Sequence, residues 1–263
     1  MPDISLTMVV VLCLAALAAG WIDAVVGGGG LLLLPALLLG LPAGTQPAYA
    51  LGTNKAVAIV GTTGAAVTFV RKAPVEVGTA VRIGLAALGG SMVGAFFAGG
   101  ISQSVLRPMI MVVLLGVLAF VMLKPSFGSA GSAAVAGPPT RQRVIAAIVL
   151  AGLGIGFYDG LFGPGTGTFL VLALSAILHM DLVHASATAK IVNVCTNLGA
   201  LAMFAYQGTV YWQLAALMAA FNLVGGMTGA RMALKRGSGF VRGVLVVVVV
   251  SLVAKLAYEQ WVG

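Results

Sequence analysis

Charge is the scarcest property of this sequence. Only 8% of its 263 residues are charged, and just six are acids, whereas a soluble protein carries roughly a quarter. So few charges cannot clothe a soluble globule of this length. Cysteine and histidine are equally sparse, with two of each. Cys13 and Cys195 lie inside apolar runs, which leaves no disulfide framework and no zinc site. There is no Walker loop, no Gly-x-Ser-x-Gly and no His-Glu-x-x-His. Direct ATP hydrolysis is thereby excluded, and a membrane-embedded enzyme would lack its nucleophile–base pair or metal cluster. No cofactor or metal is expected. Polar stretches are lacking too, which excludes disorder.

What is there is apolar: 60% of the chain. The expected class is an all-α polytopic membrane protein with about eight to ten crossings, at roughly 20 residues each, and no room for a soluble domain. The formal charge of +8 comes from basic residues in short gaps between apolar runs, such as Arg71-Lys72 and Lys235-Arg236. That is the pattern of cytoplasmic loops and not of a nucleic-acid patch. The N-terminal run lacks a preceding Lys or Arg and carries Asp3, so it is read as a retained first helix.

Ten apolar segments are read at 5–26, 30–40, 47–70, 76–98, 104–123, 143–159, 165–179, 183–206, 210–233 and 240–261. Segments 30–40 and 165–179 are short, and each has a glycine-rich stretch at its start: Gly27 to Gly30, and Gly163-Pro164-Gly165-Thr166-Gly167-Thr168. A Gly-, Ala-, Ser- and Pro-rich linker at 126–139 divides the chain near its midpoint. The two sides repeat at an offset of about 136 residues. Trp21-Ile22-Asp23 matches Phe157-Tyr158-Asp159, and Thr53-Asn54-Lys55 matches Thr188-Ala189-Lys190. Gly90-xxx-Gly94 matches Gly225-xxx-Gly229, and Arg107 matches Arg242. Two homologous membrane repeats, 1–125 and 140–263, follow. Placing the basic loops on one face favours five helices per half, each half including a short or broken helix, with the halves inverted and both termini outside.

Lys55 and Lys190 each sit about eight residues into a long apolar segment. A lysine at a helix centre costs about 2.5–3.5 kcal/mol on insertion scales, so it needs a partner or a purpose. Two such ammonium groups near the midplane suit an anion; pairing with Asp23 or Asp159, or with the carbonyls of a broken helix, is the alternative. The breaks can start helices whose N–H groups face a cavity. Gly29 and Gly30 offer backbone alone, whereas Gly165, Thr166, Gly167 and Thr168 add two hydroxyls; helix packing is the alternative for these glycines. Thr53, Asn54, Asn193 and Asn197 lie one or two turns from the lysines, and Lys190, Asn193 and Asn197 form one polar stripe. Substrate contact and interhelical hydrogen bonding are both open for them. Asp23 and Asp159 suit either proton coupling or a structural counter-ion role. For the two Gly-xxx-Gly pairs and Cys195, close helix packing is expected.

Asp23-Ala-Val-Val followed by four glycines, and Gly52-Thr53-Asn54-Lys55, resemble the sulfite exporter TauE/SafE family, also called the toluene sulfonate uptake permeases. The run from Gly156 to Phe169, with its Gly-Pro-Gly-Thr-Gly element beside an aromatic-Asp pair, is similar to the same family's repeat motif, and Ala187 to Asn193 with Asn197 to Gly199 extends it. The resemblance covers nearly the whole chain. It implies a multi-pass permease or exporter of the bacterial inner membrane for small sulfur-containing anions: sulfite, sulfonate, sulfoacetate or thiosulfate. The expected partners are that anion and membrane lipid, with H⁺ or Na⁺ coupling and a homodimer both open. A passive anion channel on the same fold is the alternative reading.

Overall fold

The computed structural model describes residues 4–42, 44–72, 75–98 and 139–261. The apolar run at 104–123, Arg107 and most of the linker lie outside the described residues. Among the described residues every regular element is helical. In the first half these are α1 (Leu6–Val26), α2 (Gly29–Gly40), α3 (Pro47–Val70) and α4 (Val77–Phe97). In the second half, α5 (Arg141–Leu161) is followed by α6 (Thr166–Leu178), α7 (Leu182–Tyr206) and α8 (Trp212–Trp261). Gly237 breaks α8 with φ 74°, a left-handed value that glycine adopts without steric penalty. The division read in the sequence between 210–233 and 240–261 falls there.

Among the described residues, five helices have the length and apolarity to cross a bilayer: α1, α4, α5, α7 and the Trp212–Val248 part of α8. α3 has 24 residues, and its Thr53, Asn54, Lys55 and Thr62 are buried within the protein, away from lipid. α2 and α6 have 12 and 13 residues. At about 1.5 Å per residue they reach roughly 18–20 Å, short of a hydrocarbon core of about 30 Å. Inside α5, Ile148–Gly154 is a π-helical turn, which no residue pattern had signalled.

Small residues set how the helices meet. α1 packs along α8, with Leu17 at Gly225 and Trp21 at Gly229. α5 packs along α4, with Leu153 at Gly90 and Phe157 at Gly94. Both expected Gly-xxx-Gly contacts are therefore helix packing, and each joins a helix of one half to a helix of the other. α3 also runs beside α8: Gly52 meets Thr209, Gly61 meets Asn222 and Gly64 meets Met227. In the same way α4 lies along α7, where Gly84 meets Cys195 and Leu88 meets Gly199. In each of these four contacts the residue numbers rise together, so the paired helices are parallel. α7 turns back into α8 through Gly208, at φ 71°, where Thr209 N–H donates to the Phe204 carbonyl at 3.0 Å. Asp181 caps α7 by accepting from the N–H groups of Val183 and His184.

The α4–α5 seam generates a direct test. A Cβ on Gly90 would lie 2.6 Å from the Leu153 carbonyl oxygen, while one on the adjacent Gly89 would meet nothing within 4 Å. Gly90→Ala is expected to cost about 1–3 kcal/mol by forcing the helices apart. Gly89→Ala is expected to be neutral or to stabilise by up to about 1 kcal/mol. Thermal unfolding of the two purified variants in detergent measures the difference.

Candidate functional site

α1 ends at Gly27, which adopts φ 80° and turns its N–H back to the Asp23 carbonyl at 2.8 Å. α2 starts two residues later. In the second half α5 ends at Leu161, and Gly163 and Gly165, both at φ 83°, lead into α6. The two breaks lie against one another. A Cβ on Gly27 would sit 2.0 Å from the Gly167 carbonyl carbon, so these backbones touch in a way only glycine allows.

A helix that stops inside a protein leaves carbonyls without donors. The second half supplies them. Thr168 N–H donates to the Gly27 carbonyl at 3.2 Å, and its hydroxyl donates to the Val26 carbonyl at 2.9 Å. The Ser186 hydroxyl reaches the Val25 carbonyl at 3.3 Å. Thr166 donates its hydroxyl to the Gly163 carbonyl at 2.8 Å, and Tyr158 donates to the Pro164 carbonyl at the same distance. Both threonine hydroxyl protons are thus used by backbone carbonyls, where the sequence reading had offered them to an anion. For Thr168 the reason is that α1's terminal carbonyls are buried here and need protein donors, while Thr166 turns back onto the carbonyl three residues before it.

The lysines lie on either side of this junction. Lys55 Nζ on α3 is 2.7 Å from Asp159 Oδ1 on α5, with both side chains 2% exposed. Lys190 Nζ on α7 is 2.9 Å from Asp23 Oδ2 on α1, with exposures of 0% and 14%. Each lysine therefore pairs with the carboxylate of the opposite half, one of the alternatives the sequence left open. The pairs differ in their remaining contacts. Asp23 Oδ2 also accepts from the Thr62 hydroxyl at 3.1 Å. Asp159 Oδ2 is buried without a donor, and so is Asn54 Oδ1 on the turn that carries Lys55. Gly163 is nearby: a Cβ there would be 3.1 Å from Lys55 Nζ.

The other expected residues have mixed positions. Thr53, Asn193 and Asn197 are all buried beside the lysines in sequence. Thr53 Oγ1 accepts from the Tyr211 N–H at 3.1 Å, and Asn193 Oδ1 accepts from the Thr196 hydroxyl at 3.0 Å. Gly30 faces Pro164 and Gly163, which brings the first break onto the second. Gly29 instead packs on the Ala19 carbonyl and the Asp23 Cβ, a helix contact. Cys195 packs on Gly84, as expected for a small apolar residue. Ser186 and Asn222 were missed by the sequence reading. Asn222 Nδ2 donates to the Ala16 carbonyl at 2.7 Å and ties α8 to α1. Asn222 is a lone buried polar residue on the Trp212–Val248 stretch, which is the signal that finds it, whereas Ser186 sits among several buried polar residues of α7 and has no signal of its own.

Broken helices that meet at a junction flanked by two buried ion pairs, inside a bundle of membrane-length helices, define a multi-pass membrane transporter. Residues 12–256 match the family model described as Sulfite exporter TauE/SafE, and the chain belongs to that family. It is similar to three proteins named as probable membrane transporters. One, from a Sinorhizobium species, is 31% identical with both chains fully covered. A second, from Haemophilus influenzae, is 32% identical over 98% of each chain. The third, YfcA of Escherichia coli, is 34% identical over 95% of this chain and 90% of its own. No solved structure matches.

Removing one member of a buried ion pair strands its partner, at about 3–5 kcal/mol. Lys55→Met leaves Asp159 with no donor at all, whereas Lys190→Met leaves Asp23 with Thr62 and partial exposure. Lys55→Met is therefore expected to destabilise more than Lys190→Met, and adding Asp159→Asn to Lys55→Met should recover much of the loss. A double-mutant cycle on thermal unfolding in detergent measures both effects.

Proposed function

We propose that this protein is a secondary transporter of the bacterial inner membrane that carries small sulfur-containing anions, of the sulfite, sulfonate, sulfoacetate or thiosulfate class, by alternating access. The crossed pairing of Lys55 with Asp159 and Lys190 with Asp23 carries the reading. A buried ammonium holds a carboxylate only while nothing better is offered. A substrate anion entering the junction competes with the aspartate for the lysine. The displaced carboxylate is then left buried without its partner, and a proton carried in with the anion would make up the lost charge. A singly charged anion thus enters with one proton and leaves the charge of the site unchanged, whereas a dianion needs a proton on each of the two carboxylates. Asp159 suits the proton's position, because its Oδ2 already lacks a donor and Asn54 Oδ1 is an unused acceptor on the helix that carries Lys55. The family description supports a sulfur oxyanion as the cargo.

Alternating access in this reading rests on two inverted halves, 1–125 and 140–263, each of five helices. The parallel packing of α1 and α3 on α8, and of α5 and α7 on α4, supports it. α8 reverses the direction of α7, so the equivalent helices α1 and α5 run in opposite senses. Inversion requires an odd number of crossings per half, and the apolar run 104–123 is the sequence's candidate for the fifth. The anion's nearest contacts would be Lys55, Lys190 and Asn54, with Thr53, Asn193 and Asn197 shaping the surrounding walls. Gly30 and the Gly165 to Thr168 segment would supply the moving edge.

Reconstitution in liposomes tests the reading, with sulfite, sulfoacetate, thiosulfate, sulfate and taurine offered under imposed pH and Na⁺ gradients. One or more of the sulfur anions is expected to accumulate with a proton gradient and to show counterflow. Lys190→Met should lose at least tenfold in apparent affinity, since a hydrogen bond to a charged group is worth about 1.5–3 kcal/mol. Asp159→Asn should retain binding and lose the response to pH. Flux at channel rates without counterflow, or unchanged transport by a folded Lys190→Met protein, overturns the reading.

A further inference from the structure

A cavity lined by none of the ion-pair residues opens elsewhere in the bundle. It is a groove of about 550 Å³ between α3 and α8, on the outer surface of the bundle. Its walls are apolar, with Val60 and Val67 from α3 and Leu223 and Met227 from α8. Val60 and Val67 are exposed, so the groove opens outward and not into the protein. Thr63 and Thr68 also line it, but their hydroxyls donate to the Ile59 and Gly64 carbonyls of their own helix. They present no unsatisfied donor to an apolar occupant.

One end of this groove is strongly basic. α3 and α8 run parallel in register, so the end of α3 at Arg71 and Lys72 comes level with Arg231 on α8, and all three line the cavity. All three are exposed, and among the described residues no carboxylate pairs with any of them. Arg71 and Lys72 belong to the set of basic loops that the charge distribution assigns to the cytoplasmic face. The groove therefore combines an apolar trough at bilayer depth with a cluster of three cations at its interfacial end. Its volume falls within the range of about 300–1,000 Å³ typical of small-molecule sites.

We propose that this groove is a binding site for an anionic phospholipid of the cytoplasmic leaflet. An acyl chain lies along Val60, Val67, Leu223 and Met227, and the phosphate is held by Arg71, Lys72 and Arg231. The charge complementarity selects this occupant. A zwitterionic lipid would bring a cation of its own to the three, and a second copy of this chain would bring the same basic residues to the same end. Guanidinium groups suit a phosphate through paired hydrogen bonds, and basic pockets on the cytoplasmic side of membrane helices are a recurrent form of headgroup recognition.

The test uses the full-length protein purified in a mild detergent, with retained lipid read by native mass spectrometry and midpoints read by thermal unfolding. Phosphatidylglycerol, phosphatidylcholine and inorganic phosphate are added separately. Phosphatidylglycerol is expected to be retained and to raise the midpoint, phosphatidylcholine to do so weakly, and inorganic phosphate not at all. Arg71→Gln, Lys72→Gln and Arg231→Gln should each weaken phosphatidylglycerol binding on the order of fivefold, and the triple variant should lose the preference over phosphatidylcholine. These residues are exposed and outside the ion pairs, and Arg71→Lys keeps the charge as a folding control. Val67→Trp, which fills the trough, should displace the lipid without altering the charge. Equal retention of both lipids, or a triple variant that keeps the preference, overturns the proposal. So does full competition by inorganic phosphate. Disulfide trapping from Val67→Cys to a second copy, or to a cysteine placed within residues 99–138, also overturns it by naming another occupant.

Discussion

A lysine ammonium removed from water needs an anion within contact distance, and among the described residues Lys55 and Lys190 are two of them, buried within α3 and α7. Most of the architecture meets that one requirement. Asp23 and Asp159 stand within a turn or so of where α1 and α5 stop, so the breaks fix the depth of both carboxylates. The glycine-lined seams draw α1 onto α8 and α5 onto α4, closely enough for each carboxylate to reach a lysine on the other half. The threonine and serine hydroxyls at the junction then satisfy the carbonyls that the breaks expose.

The bundle is therefore held in two different ways. Along the seams, small residues bring helix backbones together over several turns, and the attraction is dispersion between close surfaces. At the junction, Gly27 touches Gly167 and two hydrogen bonds from Thr168 join the breaks. Each bond is worth about 0.5–1.5 kcal/mol net. Both kinds of contact join one half of the chain to the other.

Much of this was legible in the sequence because the bilayer restricts the options so severely. Run length placed the helices, the glycine clusters placed the breaks at Gly27 and Gly163 to Gly165, and the repeat showed that Asp23 and Lys55 correspond to Asp159 and Lys190. The pairing itself was not legible. In each half the acid precedes the lysine by nearly the same interval, and that spacing is identical whether an acid meets its own half's lysine or the other's. Only the helix-to-helix arrangement distinguishes them. Hydroxyl direction was equally hidden: Thr166 and Thr168 carry donors, but which acceptor takes each proton depends on where α1's last carbonyls fall. The π turn in α5 was not legible either; Gly152 within it and Gly156 just after it meet Ile83 and Ala87 of α4, contacts that a sequence does not display.

The crossed pairs have a consequence for how the chain is made. Synthesis delivers the first half to the membrane before the second exists. During that interval Lys55 has no Asp159 and Asp23 has no Lys190, so a solitary ammonium and a solitary carboxylate must wait at the level of lipid tails or remain near the aqueous interface. The crossed pairs therefore form only once α5 and α7 have been made, and a chain halted after α4 carries Asp23 and Lys55 without their final partners.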